Sequence, residues 1–444
     1  MTKTARRMTS DCRQDRRMRF SPRVAAWWGL VEWACLLLVT PFLLFAAPAR
    51  APLLVMIPAL WILRRLSLGR FVPCTPVDLP VLVLMVMGGV GFCVSPDPAW
   101  SQMKINALLL GIGFLYATVD LLEPTERLRC VPVGVIALSS AFLVLGLLGT
   151  SWVLKVPQLT VLTARLPSEI SWFPEGETTL NPNVIGGALL WVLPFSLCLL
   201  VWAMRQKRYK WWWAAVQGLI ALLSLGLLLL TQARGAWLGF TVSVLTLLVV
   251  GGGHLGRIGG AAILVALLTL LILISAGNAN PRQAVQIDTE PVRVTSTVSM
   301  EQRLEIWSRA EYAIADFPFT GPGLDAFQYV MPVMYPLFRT QHVRPIPHAH
   351  NEFLQVALDL GLPGLIAWQA LYMLTFWMVW QVYRRSWDSL IKALALGSGG
   401  ALIAHLVYAM TDSGVLDAKP NIVFWMTVGL GIASHRSLNQ ASAK

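Results

Sequence analysis

The chain has 444 residues, of which 56% are hydrophobic and only 13% charged, with a mean hydropathy of +0.62. That composition argues against a soluble two- or three-domain protein and for a polytopic membrane protein. The formal charge of +12 lies in short arginine clusters between apolar runs, with no basic domain to follow a phosphate backbone, so nucleic acid is not an expected partner.

Residues 1–26 read as a basic cytoplasmic arm. Apolar runs then fall near 27–47, 51–63, 77–94, 103–122, 131–149, 184–203, 211–231, 235–250, 258–276, 361–382, 390–410 and 421–434. They make twelve candidate transmembrane helices, several shorter than the ~20 residues of a full span. Pro58 and Pro194 are expected to bend two of them. The six cysteines form no CxxC pair and avoid the two longest polar loops, so neither a disulfide framework nor a thiolate metal site is expected.

With the N-terminus in the cytoplasm, 23 of the 35 lysines and arginines fall on the cytoplasmic side. Six of the remaining twelve lie in one long loop, which the positive-inside rule weights little. The expected fold is therefore all-α, with twelve spans, both termini cytoplasmic and a long, partly helical periplasmic loop before the tenth span. Residues 27–276 would hold spans one to nine with an outer loop at about 150–183. Residues 277–351 would form a periplasmic subdomain, and 352–444 an interfacial helix with spans ten to twelve.

In the long loop, Ser299-Met300-Glu301-Gln302 is a capping-box pattern that opens a helix through about Asp316, and Gly321-Pro322-Gly323 ends it. A second short helix is expected near Leu324–Tyr335. The loop closes on His348-Ala349-His350-Asn351-Glu352, where Asn351 suits an N-cap and Glu352 a first turn. His350 then sits just outside a helix N-terminus, where the positive end of the dipole disfavours a second positive charge. Such an imidazole suits a proton acceptor. His342, His348 and His350 lack the carboxylate or cysteine of a known zinc spacing, so no metal and no cofactor is expected.

Arg234 lies between two apolar runs with almost no loop, and a charge there is a functional candidate by default. Gly235 would let the chain turn tightly beside it. Arg303 shares a helix face with Trp307 at i+4, whereas Arg309 points elsewhere. Arg165, Asn183, His348, Asn351 and Asp412, near the outer end of a span, complete the supporting candidates with Arg309. Arginines bind phosphate bidentately without losing charge, so an outer arginine cluster can hold a pyrophosphate leaving group without a divalent metal.

These motifs resemble the O-antigen ligase family. The pattern His-Asn, nine residues, Gly-x-x-Gly is met by His350-Asn351 and Gly361-Leu362-Pro363-Gly364. Arg303-x-x-x-Trp307, Pro318 and Gly321-Pro322-Gly323 resemble a second family motif, and Thr231-Gln232-Ala233-Arg234-Gly235 a third, with Ala233 in place of serine. Asn181-Pro182-Asn183 is similar to a further family turn. The resemblance is strongest over about 180–365. It implies a metal-independent, inverting glycosyltransferase of the inner membrane, active on its outer face. It would move a glycan from an undecaprenyl-diphosphate donor to an acceptor hydroxyl, of a lipid A core or similar. By motif match, His350 would be catalytic, and Arg234 and Arg303 would bind the diphosphate. An O-antigen polymerase or a protein O-oligosaccharyltransferase would use the same donor, and a transporter or flippase of polyprenyl-linked sugars is the reading from a different class.

Overall fold

The computed structural model describes residues 22–44, 53, 55–150, 152, 163, 166, 180–206, 211–253, 256, 258–260, 300–338, 346–412 and 421–441. Among these residues the regular structure is helical: α1 (Pro22–Leu44), α2 (Met56–Leu68), α3 (Asp78–Val94), α4 (Pro98–Leu121), α5 (Val131–Gly149), α6 (Pro182–Arg205), α7 (Trp211–Leu230), α8 (Arg234–Gly251), α9 (Met300–Asp316), α10 (Phe327–Met334), α11 (Glu352–Arg385), α12 (Ser389–Tyr408) and α13 (Asn421–Ala441).

Among the described residues, eight helices are long and apolar enough to cross a membrane: α1, α4, α5 with the turn before it, α6, α7, α8, α11 and α12. The remaining candidate spans are different. α2 has 13 residues, and Pro58 falls in its first turn, where proline does not bend a helix. α3 has 17, about 25 Å of helix against a hydrocarbon core of about 30 Å. The 258–276 run lies largely outside the described residues, and α13, at 21 residues, is not among the eight. Four cysteines, Cys35, Cys93, Cys130 and Cys198, are free, whereas Cys74 is disulfide-bonded, a cross-link that Cys spacing gave no hint of.

α4, α6 and α12 are the most deeply buried helices, and α4 is buried without a break from Leu110 to Asp120. α12 packs on α6 and α8, α4 on α1 and α13, and α11 on α3. Close approach is bought by small residues at a few points. A Cβ on Gly111 of α4 would stand 2.0 Å from the ring of Trp425 on α13, so only glycine admits that fully buried indole.

The connections segregate to two ends of the bundle. At one end Arg64 and Arg70 pair with Asp120, Arg70 also reaches Glu123, and Arg436 reaches Cys74 and Glu123. Trp202 and Gln206 likewise meet Ser389 there. At the other end Ser101 bonds Leu324, Thr150 pairs with Leu180, and Tyr408 bonds Asn183.

α9 and α10 form a small apolar cluster of Ile306, Ala310, Ala313, Phe327, Met331 and Tyr335, closed by Ala349 and Leu358. Glu305 accepts the Phe338 N–H at 2.7 Å, and the Tyr335 hydroxyl bonds Asp316 at 2.6 Å. Burial and the Asp316 carboxylate push that phenol up to about 12, so it remains a donor and the clasp holds. The helices expected through Asp316 and near Leu324–Tyr335 are thus both present and packed on one another.

Candidate active site

The histidine segment is built by a helix start. Asn351 is the N-cap of α11, and its side chain accepts the N–H groups of Phe353 and Leu354. His350, one residue earlier, is in the left-handed region at φ 50°. A side chain tolerates that conformation at a cost of about 1–3 kcal/mol, so surrounding contacts must hold it. Its ring lies 4.3 Å from that of His348, and its Nδ1 is 3.4 Å from Oδ1 of Asp412.

Asp412 arrives from the C-terminal end of α12 and is buried, with 10% of its side chain exposed. Its Oδ2 is 3.1 Å from the Tyr408 hydroxyl, which also lies 2.8 Å from the carbonyl of Asn183. Asp412 is therefore more than a charge at a helix end. It links the histidine segment to the Asn181–Asn183 turn, whose Asn181 caps α6 by accepting the Asn183 N–H.

Three helix N-termini meet the segment Tyr408–Asp412. α6 does so through the Asn183 carbonyl. α11 does so through the Glu352 N–H, which donates to Ala409 at 2.8 Å, while Asn351 Nδ2 reaches Met410 at 3.5 Å. α8 does so through Gly235, where a Cβ would stand 2.1 Å from Thr411 Oγ1. Glycine at 235 is thus explained by contact with α12. The tight backbone of this turn falls instead at buried Gln232, at φ 52°. The N-termini of α6 and α11 are capped within the protein, by Asn181 and by Asn351 with Ala409, whereas that of α8 has no side-chain cap and is the ordinary setting for an anion.

Two arginines add full charge to that end. Arg234 is the first residue of α8 and is exposed. Arg303 is on α9, and its Nε has no hydrogen-bond partner among the described residues. Arg309 stands over the rings of Tyr312 and Phe338, at 5.7 and 5.3 Å from their centroids, on another face of α9. Arg165 lies outside the described residues. His348, His350 and Asp412 also bring three ligand atoms within 4.8 Å of one another, a grouping in which Asp412 supplies the carboxylate that the histidine spacing lacked.

Sequence reasoning passed over Tyr408, Gln355, Asp359 and Lys104. The last three carried a signal, polar or charged residues inside apolar helical runs. Tyr408 carried none, since an aromatic residue at the end of a span reads as an interface anchor.

A helical membrane protein with a polar, cationic, histidine-bearing site at one end of its bundle is what the fold and the site together define. Residues 219–369 match the family described as O-antigen ligase. The matched stretch runs from within α7 to the first part of α11 and holds Arg234, Arg303 and His350, whereas Asn183, Tyr408 and Asp412 lie beyond it. Comparison with curated proteins gives no match.

Proposed function

We propose that the protein is an O-antigen ligase-type glycosyltransferase of the bacterial inner membrane. It transfers a glycan from an undecaprenyl-diphosphate donor to an acceptor hydroxyl at the periplasmic end of the bundle, with both termini in the cytoplasm. The observation that carries this reading is the meeting of the His350–Asp412 pair with the N-terminus of α8, which begins at Arg234, around the segment Tyr408–Asp412. An anion-binding end and a proton acceptor are the two things that transfer from a diphosphate requires.

In this mechanism Arg234, Arg303 and the N-terminus of α8 take the diphosphate and stabilise the charge that grows on it as the glycosidic C–O bond breaks. Asp412 Oδ1, 3.4 Å from Nδ1 of His350, closes on Nδ1–H when substrate is bound and fixes the tautomer, which leaves Nε2 to take the proton of the attacking hydroxyl. The hydroxyl oxygen bonds to the anomeric carbon from the face opposite the leaving diphosphate, so configuration inverts. The positive charge needed by the leaving group comes from the protein, and a divalent metal is not required.

The test uses purified protein, a synthetic undecaprenyl-diphosphate glycan and EDTA throughout, with a lipid A core, a second lipid-linked glycan and a serine-rich protein offered separately. Product on the lipid A core supports the ligase reading. Product on the second glycan or on the protein assigns a polymerase or a protein O-oligosaccharyltransferase instead. No transfer to any acceptor, with donor moving across proteoliposomes, overturns the enzyme reading in favour of transport. Full activity of both Arg234→Ala and His350→Ala would overturn the site.

A further inference from the structure

Ala349, between the two histidines, is held at both ends of its backbone. Its N–H donates to Gln355 Oε1 at 2.9 Å, and its carbonyl accepts Trp307 Nε1–H at 3.0 Å. Gln355 is itself fixed, because its Nε2 donates to Asp359 Oδ1 at 3.1 Å one turn further along α11. Asp359 is fully buried and its other oxygen lies 2.8 Å from Lys104 Nζ, on α4. The same Lys104 reaches Asp325 at 3.0 Å, and the Asp325 N–H donates to Asp359 at 3.0 Å. Lys104, Gln355 and Asp359 are each at most 4% exposed.

We propose that Gln355 and Trp307, backed by the Lys104–Asp359 pair, are positioning residues that hold His350 against Asp412 in its left-handed backbone conformation. They act on the histidine through the two peptides that precede it, Trp307 on the nearer and Gln355 on the farther. The two bonds hold successive peptide planes, His348–Ala349 by its N–H and Ala349–His350 by its C=O, so the φ of His350 is set by these pins together with the cap at Asn351. Without the pins His350 relaxes toward negative φ, which every side chain prefers, and its ring swings away from Asp412. The pins come from three separate parts of the chain, α4, α9 and α11, so seating of the α9–α10 unit on the bundle is what completes the histidine geometry.

The inference rests on His350 being the base, and the two can be separated. Gln355→Met keeps length and volume while removing both hydrogen bonds, and Trp307→Phe removes the donor to Ala349. Each is expected to lower kcat about 10–100-fold with donor KM changed less than twofold, as misplacement of a reacting group by about an ångström does. The pH profile of kcat is expected to shift as the His350–Asp412 contact is lost, a readout that simple loss of folded protein would leave unmoved. If Gln355→Met does not purify as a monodisperse protein, Trp307→Phe decides. Unchanged kcat and pH profile in the folded variants, with His350→Ala inactive, overturn the positioning role alone. Full activity of His350→Ala overturns the base reading beneath it.

Discussion

Nδ1 of His350 and Oδ1 of Asp412 stand 3.4 Å apart, although one residue precedes α11 and the other follows α12. The pair joins the two ends of the chain segment that folds as an antiparallel helix pair, and it does so where three helix N-termini converge. A carboxylate there offsets the positive end of α11 and gives the imidazole one defined partner.

Asp412→Asn tests that partnership. An amide can present an N–H to Nδ1 and so select the tautomer in which Nε2 carries the proton. In the proposed mechanism kcat falls about 10²–10⁴-fold while donor KM stays within a few-fold, the pattern of a lost orienting carboxylate. Steady-state transfer with the synthetic donor measures both. A rise in KM with kcat intact would assign Asp412 to substrate binding.

The arginines are distinguished from simple charges by replacement with lysine. Arg234→Lys and Arg303→Lys keep the charge and lose the planar, bidentate fork. Each is expected to raise donor KM about 10-fold, and Arg234→Ala to lower kcat/KM at least about 100-fold, through the loss of about 3 kcal/mol of transition-state binding. Donor titration checks this. Arg309→Lys should leave KM unchanged, because its guanidinium stands over Tyr312 and Phe338.

Much of this site was legible from the sequence, and the reasons are local. The Asn351 cap, the helix from Met300 and the break at Gly361 are written in short-range patterns, and the structure carries all three. The place of Gly235 was legible, but its cause was not, because contact with Thr411 is invisible until α8 and α12 are packed. Asp412 read as one of several helix-end charges, since nothing local distinguishes a carboxylate that meets a histidine from one that meets water. Gln355 and Asp359 read as interruptions of an apolar run, and Lys104, the partner of Asp359, lies on a helix far earlier in the chain.

Gly235→Ala carries the test of that packing. The new methyl would meet Thr411 Oγ1 at 2.1 Å and push the N-terminus of α8, with Arg234, away from α12. Activity is expected to fall at least about 10-fold, with overpacking costing about 1–3 kcal/mol of stability. In the Gly235→Ala/Thr411→Ala double variant the nearest remaining contacts are ordinary or slightly tight, so most activity should return. Failure of the second change to restore transfer would mean that the glycine serves another purpose.

Gly361 makes the stability prediction. It sits inside α11 at φ 66° and ψ 178°, and a Cβ there would stand 2.2 Å from the Phe319 carbonyl. Both the backbone conformation and the contact oppose any side chain, so Gly361→Ala is expected to destabilise by at least about 1–3 kcal/mol. Thermal unfolding in detergent should show a lower Tm. Because the residue lies where the α9–α10 unit meets α11, a lower kcat should accompany it in protein that remains folded.

Metal ions offer a last separation of roles. If the arginines and helix ends supply the charge for the leaving group, transfer survives EDTA without loss. Added zinc should do the reverse, because His348, His350 and Asp412 bring three ligand atoms within 4.8 Å and a ligated imidazole cannot accept a proton. Inhibition should be reversed by EDTA, and His348→Ala should weaken it by at least about 10-fold relative to its own basal rate, since it removes one ligand. Loss of transfer in EDTA, restored by one metal, would instead make the same three residues a catalytic metal site. His350 would then be a ligand, and the proton of the acceptor hydroxyl would have to leave by another route.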